Sequence, residues 1–282
     1  MTPFQKELIS MAATDAVTRL RSGEVSPMEM LDAALARHGE VDGQINAMPI
    51  ICADRAAAKT REIAAMTVPN DGKPWLAGLP IAIKDLADVA GVRTTKGSLI
   101  HKDRIAERSD ILVEALEARG AVVIGKSNTP EFGAGAHTFN EVFGVTRNPW
   151  NLTKSAGGSS GGSAAALASR QVWLATGSDF GGSLRNPASF CSVVGFRASA
   201  GRVARGPRTH SFGMMSIEGP MARTVADAAM MFDCQTGTHP RDPISLPAPE
   251  VPFSATLETA SAPARIGYAA DLGGIVPVAQ DV

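Results

Sequence analysis

A glycine- and serine-rich segment at residues 155–166 most strongly constrains what this chain can fold into. Its composition is that of a flexible linker, but residues 163–168, Ser-Ala-Ala-Ala-Leu-Ala, favour helix, so the glycines lead into ordered structure. There glycine supplies positive φ angles and unhindered N–H donors. A second glycine-rich turn, Gly181-Gly182-Ser183, follows an apolar run at 172–175. Consecutive amides beside a hydroxyl are what an oxyanion hole next to a nucleophile requires, so the two turns indicate such a site.

Short apolar runs around this segment alternate with a helical pattern. Leu79–Ile83, Ala121–Ile124 and Val172–Ala175 predict strands, because each run is brief and bounded by turn or helix signals. An amphipathic segment begins at Ser109-Asp110 and ends at Gly120, which predicts a helix between the first two strands. Ile266-Gly267-Tyr268 predicts a further strand. Together these elements have the βαβ pattern of an α/β fold.

Residues 1–70 predict an N-terminal helical layer, because apolar side chains recur there at helical spacing. Ser26-Pro27-Met28-Glu29 has the capping-box pattern of a helix start. Thr224 opens a later helix by the same capping logic. No catalytic chemistry is expected from the N-terminal layer.

Two short motif matches are disfavoured by their surroundings. Gly120–Ser127 satisfies the phosphate-loop pattern GxxxxGK[ST], but its middle residues Ala-Val-Val-Ile predict a buried strand instead of a turn of N–H donors. Gly157–Gly161 satisfies GxSxG, and Asp233 and His239 could complete a triad. However, a proline and polar residues precede it where a hydrophobic strand is required. We therefore expect neither a nucleotide site nor a serine–histidine triad.

Charge and cysteine content exclude several classes of protein. The 27 basic residues oppose 28 acidic ones, so no global field attracts nucleic acid or anionic lipid. Three cysteines without CxxC or zinc-ligand spacing predict no metal site and favour a reducing compartment. No basic-then-apolar leader and no run of about 18 apolar residues are present, which predicts a cytoplasmic protein without a membrane segment.

Several separated motifs, taken in their order along the chain, resemble the amidase signature family of serine amidohydrolases. The resemblance spans nearly the whole chain and is carried by the segments at residues 78–85, 146–150, 157–185, 188–191, 193–196 and 219–223. It implies an α/β fold with a mixed central β-sheet covered by helices on both faces, in which residues 71–282 form the core. Family domains extend well past residue 282, so the chain is expected to be truncated at its C-terminus.

The resemblance also implies a Ser-Ser-Lys mechanism instead of Ser-His-Asp. The catalytic lysine is Lys84, the bridging serine held by a cis peptide is Ser159, and the nucleophile is Ser183. The oxyanion-hole amides then belong to Phe180, Gly181, Gly182 and Ser183. Where family members commonly have threonine this chain has Phe180, which leaves the amide in place and adds bulk near the acyl site. No metal or organic cofactor is implied.

A lysine that serves as a base near neutrality must lose much of its usual basicity. A free lysine has a pKa of about 10.4, whereas such a base needs about 7–8. Burial of Lys84 away from carboxylates must supply this shift, and Asp85 would oppose it if the two side chains met. Ser160 and Ser178 are candidates to hydrogen-bond inside the site. Asp179 and Arg185 match family positions and are expected to orient the loop by an ion pair.

A local basic run contains Arg197, Arg202, Arg205 and Arg208. A solvated loop is the first interpretation of such a run, and contact with an anionic substrate or partner is the alternative. The five histidines lack HxxxH spacing and receive no catalytic role.

Three functions remain compatible with the sequence. The first is an amidase that hydrolyses a small-molecule linear amide through an acyl-enzyme intermediate, with a possible homodimer and no nucleic-acid partner. The second is the A subunit of a glutamine-dependent glutamyl-tRNA(Gln) or aspartyl-tRNA(Asn) amidotransferase, which would have partner subunits and a tRNA-bound substrate. The third is a non-catalytic truncated fragment that only binds or assembles.

Overall fold

The computed structural model describes residues 1–207 and 210–275. The helices are α1 (Pro3–Ser10), α2 (Ala13–Ser22), α3 (Pro27–Ile45), α4 (Ala53–Ala64), α5 (Ile111–Ala118), α6 (Gly161–Ala168), α7 (Arg185–Cys191), α8 (Val225–Gln235) and α9 (Phe253–Thr259), with short 3-10 turns at Leu99–His101 and Glu131–Gly133. The strands are β1 (Ile50–Ile51), β2 (Pro80–Lys84), β3 (Val122–Ser127), β4 (Phe139–Asn140), β5 (Gly144–Val145), β6 (Arg147–Asn148), β7 (Asn151–Ser155), β8 (Leu174–Asp179), β9 (Val194–Gly195) and β10 (Ile217–Ala222).

Six strands form one mixed sheet in the order β1-β3-β2-β8-β10-β9. The central strands β3, β2 and β8 are parallel to one another, whereas β1, β10 and β9 each pair antiparallel with their neighbours. Every residue of β2, β3 and β8 is buried, so helices and loops cover both faces of the sheet centre. The α/β fold with a mixed, helix-covered sheet that the sequence predicted is therefore confirmed.

The first seventy residues contain four helices and one edge strand. The predicted helix start at Ser26 is a capping box, since its Oγ accepts from the Glu29 amide and the Glu29 carboxylate accepts from the Ser26 amide. The strand β1 was not predicted. It pairs Ile50 with Lys126 at the edge of the main sheet. One continuous apolar core joins Leu8 of α1 to Ile81 of β2, so the N-terminal helices pack on the sheet.

The disfavoured phosphate-loop match is a strand in the structure, because its apolar middle lies within β3 (Val122–Ser127) and is fully buried. By contrast, the strand predicted at Ile266-Gly267-Tyr268 is wrong. Ile266 and Tyr268 are 76% and 89% exposed, and the segment pairs with no strand of the described chain. A strand needs a neighbour for its N–H and C=O groups, and this segment has none within the described residues. Among the helices at residues 1–207 and 210–275, none is long and apolar enough to cross a membrane.

Candidate active site

Two parallel neighbouring strands carry the central residues of the site to one edge of the sheet. Lys84 is the last residue of β2, and Ser178 lies next to the end of β8. In the pairing of the two strands Ile81 lies opposite Leu174. The Lys84 amide donates to the Thr176 side chain over 3.0 Å. Carboxyl ends of adjacent parallel strands meet at one edge, which is where α/β proteins build their sites.

The Lys84 amine contacts two serine hydroxyls. Its Nζ lies 2.7 Å from the Oγ of Ser159 and 3.0 Å from the Oγ of Ser178. The side chain is 2% exposed. Burial lowers the pKa of Lys84 to about 7, although the carboxylates of Glu218 and Asp179 favour its charged form. A substantial fraction of this lysine is therefore uncharged near neutral pH, as a proton acceptor must be.

The carboxylate of Asp85, next in sequence to Lys84, contacts a different set of groups. Its Oδ1 accepts from the Nζ of Lys126 over 2.8 Å, and its Oδ2 accepts from the amide and hydroxyl of Thr95 over 3.1 and 2.6 Å. Successive side chains of an extended chain point to opposite sides, so Asp85 is directed away from the serines. It therefore forms no ion pair with Lys84 among the residues described.

Ser159 lies in the glycine-rich segment between β7 and α6. The peptide bond between Gly158 and Ser159 is cis, and Gly157 has a φ of 73°. A Cβ at position 158 would lie 2.9 Å from the backbone nitrogen of His137, so only glycine fits that close approach. The glycines that composition alone assigns to a linker instead hold Ser159 against Lys84.

Ser183 follows β8 in the second glycine-rich turn and is linked to the first turn through the backbone. The Ser160 amide donates to the Ser183 carbonyl over 3.2 Å, while the Ser160 Oγ lies 3.2 Å from the amide of Ser178. In the described residues the half-buried Ser183 hydroxyl makes no hydrogen bond to Lys84 or Ser159. The structure thus brings Lys84, Ser159 and Ser178 into direct contact and places Ser183 on the adjoining turn.

One of the four amides predicted for the oxyanion hole already has a hydrogen-bond partner. The Gly182 N–H donates to the Asp179 Oδ1 over 2.8 Å and is already engaged. The amides of Phe180, Gly181 and Ser183 make no hydrogen bond within residues 1–207 and 210–275. Three of the four predicted donors are therefore open to a ligand.

Asp179, at the end of β8, fixes the turn that carries Ser183. It accepts from Arg185 Nε over 3.0 Å and from the Leu184 amide over 3.2 Å, in addition to Gly182. Arg197 also donates to it over 2.9 Å, a contact that the sequence did not predict. Burial disfavours the charged form of Asp179, but these hydrogen bonds outweigh it and hold its pKa well below the usual range.

The basic run between residues 197 and 208 makes specific contacts. Arg205 pairs with Glu218 over 3.3 Å, and the Arg202 guanidinium donates to the Pro247 carbonyl over 3.4 Å. Because Arg197 and Arg205 each pair with a carboxylate beside the site, the prediction of a solvated loop is wrong for them. Arg208 lies outside the described residues.

A cavity of about 670 Å³ opens beside these groups. Ser178 and Phe180 line it on the side of the glycine-rich turns, and Phe132, Met215 and Asp110 line it elsewhere. The lining combines apolar side chains with several charged ones, and a concave surface with convergent polar groups is typical of a small-molecule site. Within the described part of the chain no group of three or more histidine, cysteine or carboxylate side chains could hold a metal ion.

The fold and the geometry together define a class of protein: an α/β protein in which a buried lysine and serine hydroxyls meet at the carboxyl ends of parallel strands. The model of the family described as Amidase matches residues 29–281. The chain therefore belongs to the amidase signature family, a family of amide-hydrolysing enzymes.

Known relatives with the same fold differ in their named functions. The A subunit of glutamyl-tRNA(Gln) amidotransferase from Anaeromyxobacter dehalogenans strain 2CP-C is 38% identical over 267 residues, covering 95% of this chain and 54% of the relative. A bacterial aryl acylamidase of the amidase signature family superposes with a TM-score of 0.81 at 34% identity, covering 88% of this chain and 51% of that one. A structure described as a vestigial protein complex that reveals the origins of an s-triazine catabolic enzyme superposes with a TM-score of 0.80 at 38% identity, covering 88% and 55%. The chain spans about half the length of the curated relatives it matches.

Proposed function

We propose that this chain carries the catalytic centre of an enzyme that cleaves a carboxylic amide C–N bond through an acyl-enzyme intermediate on Ser183. The observation that carries the proposal is the contact of the buried Lys84 amine, whose pKa burial lowers to about 7, with the Ser159 hydroxyl over 2.7 Å. A neutral amine hydrogen-bonded to a serine can accept its proton, and Ser183 lies on the adjoining turn. Membership of the amidase signature family supports the same roles.

The reaction proceeds in two halves. Lys84 takes the proton of Ser159, Ser159 takes the proton of Ser183, and the Ser183 oxygen forms a bond to the amide carbon. The tetrahedral intermediate expels ammonia or an amine, which receives the proton back through Ser159, and an ester to Ser183 remains. Water then attacks that ester by the same proton route and releases the carboxylic acid. The relay requires the two serine oxygens to approach to hydrogen-bond distance in the substrate complex, since catalytic contacts often tighten only then.

The negative charge on the attacked oxygen is stabilised by the amides that the described structure leaves open. Phe180, Gly181 and Ser183 contribute these N–H groups, whereas Gly182 uses its own to hold Asp179. In other acyl-transfer sites, removing one preorganised oxyanion donor costs about 3–4 kcal/mol.

The side-chain amide of glutamine is the first candidate substrate. Relatives that are named as the A subunit of glutamyl-tRNA(Gln) amidotransferase are 38% and 40% identical to the chain. A second candidate is hydrolysis of a different amide by the chain without partner subunits. It is supported by the superposition on an aryl acylamidase and on a 6-aminohexanoate cyclic dimer hydrolase, with TM-scores of 0.81 and 0.79.

Labelling by a fluorophosphonate probe tests the shared chemistry. The probe should label the wild-type protein at one serine, Ser183→Ala should abolish labelling, and Lys84→Ala should reduce it by at least about 100-fold. Ser189→Ala is the matched control, because Ser189 is an exposed serine on the following helix. Absence of labelling, or equal labelling of Ser183→Ala and Ser189→Ala, would refute the proposal and favour a non-catalytic protein.

Ammonia release then separates the two candidate substrates. Glutamine, an aryl acylamide and the cyclic dimer of 6-aminohexanoate are compared as substrates, with and without the remaining amidotransferase subunits. Glutamine turnover that depends on those subunits would identify the amidotransferase role. Turnover of another amide by the isolated protein would identify a free-standing amidase.

A further inference from the structure

Two buried lysines lie at neighbouring strand ends but have different surroundings. Lys84 ends β2 and Lys126 lies in β3 opposite Ile83; they are 2% and 0% exposed. Among the described residues the Lys84 amine contacts only serine hydroxyls, whereas Lys126 Nζ contacts the Asp85 carboxylate over 2.8 Å and the Thr94 hydroxyl over 2.9 Å. The same residue type therefore contacts hydroxyls on one strand and forms an ion pair on the next.

Three carboxylates that adjoin Lys84 in sequence or act on its charge are each paired with a cation. Asp85 is its neighbour in sequence, Asp179 ends the adjacent strand β8, and Glu218 lies on β10. The charges of the last two favour protonation of Lys84. The pairs are Asp85 with Lys126 at 2.8 Å, Asp179 with Arg185 at 3.0 Å and Arg197 at 2.9 Å, and Glu218 with Arg205 at 3.3 Å.

An unpaired carboxylate at one of these positions would raise the pKa of Lys84 and so increase its charged fraction. Two unit charges about 10 Å apart in a medium of effective dielectric constant about 20 interact by about one pKa unit. An opposing cation at the same site cancels most of that interaction. Because a base must be uncharged to accept a proton, the ion pairs bear directly on the reaction.

We propose that Lys126 and Arg205 are positioning residues that keep Lys84 uncharged by holding Asp85 and Glu218 in ion pairs. This inference rests on the proposed function, because it assigns the charge balance around the base of that reaction. In the described chain neither residue hydrogen-bonds to Lys84 or to the predicted nucleophile. Both act through the carboxylate that they neutralise.

Other charged groups of this region act on Lys126 or line the cavity. Asp88 and Asp110 favour the charged form of Lys126, and Asp88 is itself paired with Arg104. The charge of Lys96, which lines the cavity, favours the ionised form of both carboxyls, although burial raises the pKa of Asp110. Their influence reinforces the ion pair of Lys126, while Lys84 has no carboxylate contact in the described part of the chain.

The pH profile of Ser183 labelling tests the inference. The wild-type rate constant of fluorophosphonate labelling, measured from pH 5 to 10, should fall on the acid side with a midpoint near 7. Lys126→Met and Arg205→Met should each raise that midpoint by about one unit, which slows labelling at pH 6 up to about tenfold. Arg205→Lys keeps a cation beside Glu218 and should retain the wild-type midpoint.

Charge-neutral double variants are the matched controls. Asp85→Asn with Lys126→Met, and Glu218→Gln with Arg205→Met, should return the midpoint to within a few tenths of a unit of wild type. A merely structural role would instead slow labelling by one factor at every pH and leave the midpoint unchanged, which would overturn the inference. Persistence of the shift in the double variants would overturn it as well.

Folding and the proposed function are checked separately. If Lys126→Met does not yield folded protein by circular dichroism, Arg205→Met decides alone, since Arg205 and Glu218 are both partly exposed beside the cavity. If labelling persists in Ser183→Ala, the proposed function fails and this inference fails with it. If labelling requires Ser183 but the midpoints do not move, only the inference of charge balance is overturned.

Discussion

The Nζ of Lys84 donates to the Oγ of Ser178 over 3.0 Å in addition to its contact with Ser159. Ser178 therefore holds the amine from a second side, and its own amide is tied to the Ser160 hydroxyl over 3.2 Å. Contacts with two hydroxyls restrict a flexible lysine side chain to one position, where the lone pair of the neutral amine can accept from the Ser159 hydroxyl.

Ser178→Ala should slow fluorophosphonate labelling about tenfold. The reason is that one hydrogen bond to the amine, worth up to about 1.4 kcal/mol, no longer orients the base. Ser163→Ala is a suitable comparison, because Ser163 is another buried serine, bonded to Ser127 over 2.6 Å and to the Thr176 carbonyl over 2.7 Å. That control should lower the melting temperature with little effect on labelling. Equal labelling rates for both variants would show that Ser178 does not orient the lysine.

Asp179→Asn should weaken both stability and labelling. The substitution removes the charge that pairs with Arg185 and Arg197, so the turn carrying Ser183 is no longer held. Because the arginines left unpaired are partly exposed, we expect urea unfolding to show a loss of about 1.5–3 kcal/mol. Arg185→Met should cost much less, since Arg185 is 58% exposed and Arg197 remains.

The contribution of Asp179 to the free energy of unfolding should depend on pH in a defined direction. The folded pKa of Asp179 lies below its unfolded value, so its stabilisation is present above about pH 4 and is lost as the pH falls. The stability difference between wild type and Asp179→Asn should therefore shrink on acidification. A difference that is constant with pH would contradict the ion-pair explanation.

Local patterns predicted the central strands, whereas the family resemblance implied the contact of Lys84 with Ser159. The apolar run at 79–83 corresponds to β2, while the run at 172–175 overlaps only the first two residues of β8, which continues to Asp179. The motif resemblance placed Lys84 and Ser159, which the structure brings within hydrogen-bond distance. The catalytic role of Ser183 stays a prediction, because its hydroxyl bonds to neither residue in the described chain.

Long-range contacts could not be predicted from the same patterns. Whether Ser178 or Ser160 touches Lys84 depends on the register between β2 and β8, which no local pattern encodes. The Asp179 to Arg197 contact spans 18 residues and depends on the path of the intervening loop. Periodicity likewise does not show that Asp85 turns toward Lys126 on another strand.

Gly162→Ala should be strongly destabilising. A Cβ at position 162 would lie 2.2 Å from the Asn128 nitrogen and 2.7 Å from the Ala47 carbonyl oxygen, so backbone would have to move. We expect a loss of at least about 3 kcal/mol by urea unfolding. Gly39→Ala, in the middle of α3 with nothing near its Cβ, should instead stabilise by about 0.5–1 kcal/mol. Equal effects of the two substitutions would contradict the close approach at Gly162.

Asp110→Asn should stabilise the protein at alkaline pH. Asp110 precedes α5 and lines the cavity, and its carboxylate forms no ion pair among residues 1–207 and 210–275. Burial raises the pKa of Asp110 to about 7, and the negative charges of Asp88 and Glu218 add to the effect. The folded protein therefore binds this proton more tightly than the unfolded chain, so wild-type stability decreases as the pH rises from about 4 to about 7.

Asparagine keeps the shape of the side chain without the charge. The stability gain of Asp110→Asn, measured by urea unfolding, should be near zero at pH 4 and grow to about 1–2 kcal/mol at pH 8, because partial exposure screens part of the penalty. Asp103→Asn is the matched control, since Asp103 is 82% exposed, and its effect should not grow with pH. A gain that is the same at pH 4 and pH 8 would mean that Asp110 is ionised throughout and that the cavity does not penalise its charge.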